Sequence, residues 1–407
     1  MWQQIRANRI RSAVLVGLMA VLLLGIGYLL GEAFFGNAVG GLVIALFVLL
    51  VMNLVAWFQG DSILLAVARA KKIKREDHPR LYNIVEEMKI ASGLEKMPDI
   101  YIIDDPSMNA FATGRDPSKA SVAVTSGLLQ KLNRDELQGV IGHEMAHIRN
   151  RDVLLMSLCG VLLGTIVILA FFGSRMMLFG GIYGGRRSSR SSAGGGQAQI
   201  IILVVALALA ILAPIFAQLI YFAISRKREY MADASSAVYT RYPEGLASAL
   251  EKLGASTVPV KAANQATAPM YIVNPFRVKG RSAVNLTSTH PPIAERVRIL
   301  RSMAGGASLA DYDRAYRSVH KGGGSIVKTK ALVGAGVIAA GAAAPETAPV
   351  KPEPDKVERT REVSDLMWRM NDYRTVDCDC GTRLRIPPGL RLTSIRCPHC
   401  GREQRVP

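Results

Sequence analysis

The chain has 407 residues, half of them apolar, with a mean hydropathy of +0.21 and a formal net charge of +18. Such hydropathy argues against an ordinary soluble enzyme and indicates membrane-spanning segments. The positive charges are scattered over flanks, loops and tail, so they favour anionic lipid headgroups over nucleic acid as a partner.

Apolar runs of about 20 residues, enough to cross about 30 Å of hydrocarbon, occur four times. They are Val14–Leu30, Ala38–Phe58, Val153–Phe172 and Ile200–Ile224. Basic residues before the first run and after the second predict that the N-terminus and everything from residue 70 onward lie in the cytoplasm. The loop after the third run conflicts with this rule, because it also carries arginines, at positions 175, 186, 187 and 190. Either that loop is translocated, or the third and fourth runs form a hairpin that does not fully cross.

The segment between the second and third runs predicts a folded α+β unit. Its spacing predicts a helix over Pro79–Ala91 that stops at Gly93. Short strands are predicted over residues 99–104, 109–114 and 121–127, separated by turns rich in Asp, Pro and Ser. Asn133, with Glu136 three residues later, predicts the start of a helix that runs to about residue 150.

This last helix carries two histidines four residues apart, His143 and His147. Four residues are 400° of helix rotation, so both imidazoles leave from nearly the same side and can bind one ion. Glu144 flanks that side and can reach a water molecule instead of the metal. By composition, a chance match to this pattern is expected in roughly one such sequence in a few hundred. The pattern therefore predicts a catalytic Zn²⁺ site, which needs a third protein ligand from another element.

After the fourth run, helical spacing continues to Gly254, and another helix is predicted over residues 288–303, beginning at Pro291 and Pro292. Residues 322–358 are rich in Gly, Ala, Pro and Lys, which is typical of a flexible linker. A brief helix over Val363–Tyr373 and a separate module follow.

Four stretches of the sequence stand out together: MNAFATG (108–114), IGHEMAHIRNRD (141–152), SRKREYMADASSA (225–237) and STHPP followed by ERV (288–297). In this combination they resemble the HtpX family of membrane-bound zinc metalloproteases, relatives of the CAAX prenyl endopeptidases. The likeness covers roughly residues 1 to 303 and includes the four apolar runs in the same order.

The resemblance implies that His143, His147 and Glu229 bind the catalytic zinc and that Glu144 is the catalytic acid/base. Asp233 would then orient a ligand histidine through its other ring nitrogen. An alternative for Glu229 is an ordinary salt bridge with a neighbouring arginine.

Two further roles follow from the resemblance. His290 would donate a hydrogen bond to the tetrahedral oxyanion, or else belong to a capping turn fixed by the two prolines. The strand that contains Asn109, Ala110, Phe111 and Ala112 would be an exposed edge beside the cleft that pairs with an extended peptide, or else a purely structural strand.

The tail carries Cys378, Cys380, Cys397 and Cys400, two pairs each closed by a glycine. This spacing resembles a zinc ribbon with a structural Cys₄ site, although the first pair has one residue fewer than the common C-x-x-C. A redox-active dithiol is the alternative. The ribbon's partner is expected to be protein, because no aromatic residue is available to stack on bases.

The predicted fold class is a membrane α-helical protein with an α+β zincin-like metalloprotease domain and a small C-terminal β zinc ribbon. The predicted parts are two transmembrane hairpins (1–69 and 153–225), two catalytic parts (70–152 and 226–321), a linker (322–358) and a short helix with the ribbon (359–407).

The predicted function is zinc-dependent cleavage of misfolded or damaged membrane proteins at their cytoplasmic faces. The metal would lie roughly 10 Å from the bilayer surface, because about six residues at 1.5 Å each separate His147 from the third run. One alternative is a membrane-anchored scaffold with structural zinc sites. Another is a prenyl-protein endopeptidase of narrow specificity, which the absence of the extra spans of those relatives disfavours.

Overall fold

A computed structural model describes residues 2–153, 226–261, 270–275, 290–303, 306–320, 353–390 and 393–406, together with isolated positions elsewhere. Apart from Val153 and isolated positions, the third and fourth apolar runs and the arginine-bearing loop lie outside the described residues, as do Cys159 and most of the predicted linker.

The chain begins with a helical hairpin of α1 (Trp2–Phe35) and α2 (Ala38–Val67). Asn37 starts α2, because its side chain accepts a hydrogen bond from the Gly40 amide. The two helices touch backbone to backbone, since a Cβ on Gly31 would lie 2.5 Å from the Cα of Gly41. In the part of the chain described, no single helix is long and apolar enough to cross a bilayer. The segments Ala38–Met52 and Trp57–Val67, bent by 68°, reach that length and apolarity only as a pair.

A four-stranded sheet follows, in the order β1, β2, β4, β3. Its strands are β1 (Lys71–Lys72), β2 (Asp99–Ile103), β3 (Ala110–Thr113) and β4 (Ser121–Thr125). The central strands β2 and β4 are parallel, and β1 and β3 pair antiparallel at the two edges. The three strands predicted from the sequence are confirmed.

Helices α3 (Pro79–Ser92), α4 (Ser126–Lys131) and α5 (Arg134–Arg149) pack with this sheet. Gly93 ends α3 in the left-handed conformation, at φ +67°, as its position in the sequence predicts. The predicted capping box of α5 is confirmed: Asn133 and Glu136 exchange backbone and side-chain hydrogen bonds of 2.8 and 2.9 Å.

The helix predicted to run unbroken to Gly254 is two helices. Residues 226–240 form α6, and Pro243–Ala255 form α7. The break has a local cause: Pro243 lacks an amide donor and disfavours helical backbone at the preceding residue, and Arg241 has φ +54°. Helix α7 lies so close to α5 that a Cβ on Gly139 would be 2.7 Å from the backbone nitrogen of Leu246.

The remaining helices are α8 (Ile293–Arg301), α9 (Leu309–Val319) and α10 (Lys356–Met370). Helix α8 starts one residue after Pro292, which is its N-cap instead of its first turn. Helix α10 starts seven residues before the predicted Val363, inside the predicted linker, with a capping box between Asp355 and Glu358. The composition predicted a linker at the first residues of this helix, because the alanine- and proline-rich stretch runs directly into it.

The tail ends in two antiparallel hairpins, β5 (Arg374–Asp377) with β6 (Arg383–Ile386) and β7 (Ser394–Arg396) with β8 (Glu403–Arg405). In each hairpin, the tight turn between the two strands begins at a cysteine. Gly381 and Gly401 donate backbone hydrogen bonds to the carbonyls of Cys378 and Cys397, and both glycines have positive φ.

Candidate active site

Helix α5 and helix α6 bring three predicted ligand side chains to one point. The Nε2 atoms of His143 and His147 lie 3.1 Å apart. The carboxylate of Glu229, from α6, lies 3.5 Å from His143 Nε2 and 3.4 Å from His147 Nε2. All three side chains are buried, and their ligand atoms lie within 4.8 Å of one another. The tertiary fold therefore assembles a two-nitrogen, one-carboxylate donor set.

Two further carboxylates orient the imidazoles. Asp233 Oδ1 lies 2.9 Å from His143 Nδ1, as the sequence predicts. Asp152 Oδ2 lies 3.4 Å from His147 Nδ1, a contact that the sequence analysis did not assign. When each Nδ1 donates its proton to a carboxylate, both Nε2 lone pairs point at the same place, which favours a cation between them. The signals for Asp152 were its place five residues after His147 and its position at the end of the quoted stretch 141–152.

Arg296 is a second residue that the sequence analysis missed. Its guanidinium is completely buried and binds both oxygens of Asp233, at 2.7 and 2.8 Å. It also donates to the Ile272 carbonyl at 3.0 Å and approaches Glu229 to 3.5 Å. Arg296 therefore fixes Asp233, which in turn fixes His143. Its position in the quoted ERV stretch was the only signal.

The charges around the histidines favour positive charge at this point. Burial lowers the pKa of His143, but bonds to Asp233 and Glu229 outweigh it, so the pKa is raised. For His147, burial is likewise outweighed by Asp152 and Glu229, and the pKa rises to about 10. Burial raises the pKa of Glu229, but its bonds to the two histidines hold that pKa well below its usual range.

The donor set fits a zinc ion. Two imidazole nitrogens and a carboxylate are a ligand combination of catalytic zinc sites. Glu229 Oε2 is buried and makes only long contacts, 3.5 Å to His143 Nε2 and 3.5 Å to the Arg296 guanidinium, so it keeps a lone pair for a cation. The same electronegative surroundings that favour a proton on His143 and His147 favour a bound dication.

Glu144 lies on the flank of this site, as its place in the helix predicts. Its carboxylate is buried and forms no ion pair with a described residue, and the one backbone group close enough to lower its pKa is the amide of Ala112. Burial raises the pKa of Glu144, while His143 and His147 lower it to a smaller degree. A buried carboxylate without an ion pair is costly in a structural role, so it favours a chemical one.

The predicted substrate strand is an edge of the sheet, but it is not open along its length. Residue Ile272 donates a backbone hydrogen bond to the Ala110 carbonyl at 3.0 Å, and Tyr271 forms a β-bridge with Phe111. The Asn109 side chain donates to the Val273 carbonyl at 3.0 Å. The expectation of an exposed edge at Asn109, Ala110 and Phe111 is therefore wrong, because the chain's own residues 271–273 pair there.

Ala112 lies further along the same edge. The backbone N–H and C=O groups of successive strand residues point alternately to the two sides of the strand. Ala110 directs its carbonyl away from β4, toward Ile272, so the backbone groups of Ala112, two residues later, also point away from β4. The Ala112 backbone is close enough to lower the pKa of Glu144. The predicted acid/base therefore lies beside the Ala112 end of this strand.

His290 is buried near the ligands, and its ring nitrogen Nε2 contacts the Tyr271 carbonyl. Burial lowers its pKa, so the ring is neutral and its one N–H is directed at that carbonyl. In this arrangement His290 holds residues 271–273 in place. Donation to an oxyanion would require the ring to leave Tyr271.

The four tail cysteines converge as predicted. The sulfurs of Cys378 and Cys400 lie 3.5 Å apart, and those of Cys380 and Cys397 lie 3.7 Å apart. A tetrahedral site with Zn–S bonds of about 2.3 Å has S···S edges of about 3.8 Å. A disulfide needs about 2.05 Å. The spacing therefore fits a zinc-binding Cys₄ cluster and not two formed disulfides.

The fold and the site together have the arrangement of a metalloprotease: a helix with two histidines and a glutamate beside them, and a carboxylate from a second helix that converges on the histidines. The family model "Peptidase family M48" matches residues 75–304. The chain belongs to this family.

Curated relatives agree over most of the chain. "Protease HtpX homolog" of Dictyoglomus turgidum is 44% identical over 302 residues, which is 74% of this chain and 94% of that protein. The homologue of Lactobacillus helveticus is 42% identical over 303 residues, 74% of this chain and 100% of that protein. Among solved structures, the crystal structure of S. mikatae Ste24p is similar at 20% identity and a TM-score of 0.38, over 74% of this chain and 67% of that one. The resemblance to HtpX proteases read from the sequence is confirmed.

Proposed function

We propose that the chain is a membrane-anchored zinc endopeptidase that cleaves misfolded or damaged membrane proteins at the cytoplasmic face. The observation that carries the proposal is the buried carboxylate of Glu144, which forms no ion pair with a described residue, beside the convergent donors of His143, His147 and Glu229. A scaffold with a structural metal site would have no use for that carboxylate.

The three convergent residues would hold the zinc. When bound, it supplies a Lewis acid that polarises the scissile carbonyl and lowers the pKa of water. The chain's own residues do the rest. Asp233 and Asp152 keep the imidazoles oriented. Glu144 takes a proton from the attacking water and delivers it to the leaving amine, so no covalent acyl-enzyme forms.

Substrate binding would use the outer side of strand β3 at Ala112. Backbone pairing gives affinity with little dependence on side chains, which suits a protease for unfolded chains. Because residues 271–273 already pair with the first part of this edge, the substrate would be confined to the part that begins at Ala112.

Location at a membrane is supported by the surface of α2. Val43, Phe47, Leu50, Leu54 and Phe58 are each more than half exposed. A row of exposed large apolar side chains on one helix indicates contact with lipid or with other apolar segments. This helix leads within a few residues into the sheet that carries the site, so the site would lie near the bilayer.

The test is cleavage of an unfolded membrane protein by the full-length chain in liposomes. We expect Glu144→Gln to keep its zinc and to lose activity by about 10²–10⁴-fold, the usual contribution of a general acid/base. Glu95→Gln changes an exposed glutamate in the same way and should have no effect. Cleavage retained by Glu144→Gln would place the chemistry elsewhere.

The membrane and its side are tested separately. A substrate anchored in the bilayer should be cut faster than the same unfolded segment in solution, and equal rates would contradict a role for the membrane. Glu95→Cys should add labelling by a membrane-impermeant thiol reagent, beyond that of the chain's own cysteines, only after cells are opened. Labelling in intact cells would contradict a cytoplasmic site.

A further inference from the structure

The tail helix α10 belongs to the core of the protease domain. Val363 and Leu366 are each 1% exposed and Met367 is 9% exposed, and all three lie in the same apolar cluster as the sheet and α5. Val357, on the same helix, is 56% exposed. Helix α10 therefore has one apolar face, and that face is buried against the domain, mainly at α4.

Polar contacts join the residues just before α10 to helix α5, which carries His143 and His147. Glu353 accepts hydrogen bonds from the backbone amide of Arg134 and from the guanidinium of Arg80. Arg134 is the first residue of α5, so a carboxylate from the tail caps the helix that carries His143 and His147. The positive end of a helix dipole favours a negative charge at this position.

A second set of contacts joins the C-terminal end of α10 to strand β1, at the edge of the sheet opposite β3. Lys71, in β1, donates to the Met370 carbonyl and to Asn371 Oδ1, the latter at 2.7 Å. Asn371 donates to Asp104 at 3.1 Å. Residues 353–371 therefore reach from the start of α5 to the β1 edge of the sheet.

The ribbon is in turn fixed to α10. Arg383 and Arg385, on strand β6, bind the two carboxylate oxygens of Asp365 at 2.6 and 3.0 Å. Arg385 also lies over the Trp368 ring, 5.1 Å from its centroid. The Cys₄ cluster is therefore joined to the protease domain through a packed helix.

The family match ends at residue 304, and the match to the L. helveticus protein covers the whole of that protein with 74% of this chain. About a quarter of the chain thus has no counterpart there. We propose that residues 353–371 are an integral, non-covalently docked part of the protease domain. They hold the ribbon in a fixed place, and the tail stays bound when the chain between residues 326 and 353 is cut.

The experiment places a recognition site for a specific protease at residues 335–345 of the full-length chain, with an affinity tag at the N-terminus. After cleavage in mild detergent, the tail fragment should co-elute with the tagged fragment. A tail fragment that separates completely from the tagged fragment would overturn the proposal.

Matched variants identify the contact. Leu366→Ala removes a buried side chain and should weaken retention about 30-fold or more, the equivalent of the least costly core truncations of this kind. Val357→Ala removes an exposed side chain from the same helix and should retain the tail like the unchanged chain. Equal retention by both variants would refute docking through the apolar face.

A third variant separates the helix from the ribbon. Cys397→Ser with Cys400→Ser should leave retention within about twofold, because the helix carries the docking. If this variant releases the tail while Leu366→Ala does not, the ribbon holds the tail, and the proposal is wrong.

Discussion

Replacing Arg296 by methionine should lower the stability of the folded chain, because the site depends on this one buried positive charge. Arg296 and Asp233 are both completely buried and are joined by two short hydrogen bonds. Removing one partner of a buried ion pair costs about 3–5 kcal/mol, because the other charge stays buried without compensation. Glu229, 3.5 Å from the guanidinium, adds to the uncompensated charge.

For a domain of this size, such a loss lowers the unfolding temperature on the order of 10 °C. Arg301→Met is the matched control on the same helix, because Arg301 pairs with Glu244 and Glu251 at the surface. Exposed pairs contribute about 0–1 kcal/mol. The assay is thermal unfolding of the full-length chain in detergent, at one heating rate, followed by tryptophan fluorescence.

The double variant Asp233→Asn with Arg296→Met completes the test. Because both charges are then removed, its cost should be smaller than the sum of the two single costs by roughly 1–3 kcal/mol. Additive costs, or an Arg296→Met chain as stable as Arg301→Met, would refute the reasoning that these residues form one buried unit.

Three further results are expected. Asp152→Asn should weaken zinc binding about 10–100-fold in competition with a chelator, because an outer carboxylate orients a ligand histidine; unchanged affinity would remove Asp152 from the site. Gly139→Ala should cost about 1–3 kcal/mol in unfolding free energy, since its Cβ would lie 2.7 Å from the backbone of a neighbouring helix. Gly60→Ala, also inside a helix but with open space around its Cβ, should not destabilise the chain. Metal analysis should give two zinc ions per chain and one after Cys397→Ser with Cys400→Ser; one ion in both would contradict the Cys₄ site.

Local patterns predicted the elements of the protease domain well. The capping box at Asn133, the left-handed glycine at Gly93 and the three strands depend on residues close in sequence, and each is found where the pattern places it. The predictions that failed concern boundaries set by competing local signals. Pro243 divides a helix whose apolar spacing is otherwise continuous, and α10 begins inside a stretch whose composition is typical of a linker.

The edge strand shows a different limit. The sequence predicted its position at the edge of the sheet, but whether an edge is open depends on what else pairs with it. Residues 271–273, more than 150 positions away, cover Ala110 and Phe111. Backbone hydrogen bonding carries no side-chain signature, so the sequence alone could not predict this pairing.

The sequence by itself determined that the imidazoles of His143 and His147 share one side of a helix, with Glu144 on its flank, because these spacings are a property of the helix alone. Only the tertiary structure decided that Glu229 meets those imidazoles and that Asp152 and Arg296 support them. It also decided that Glu353, from the tail, caps helix α5. These contacts join distant residues, and a buried charge such as Arg296 looks in sequence like any arginine on an amphipathic helix. Its partner, and therefore its role, exists only once the chain is folded.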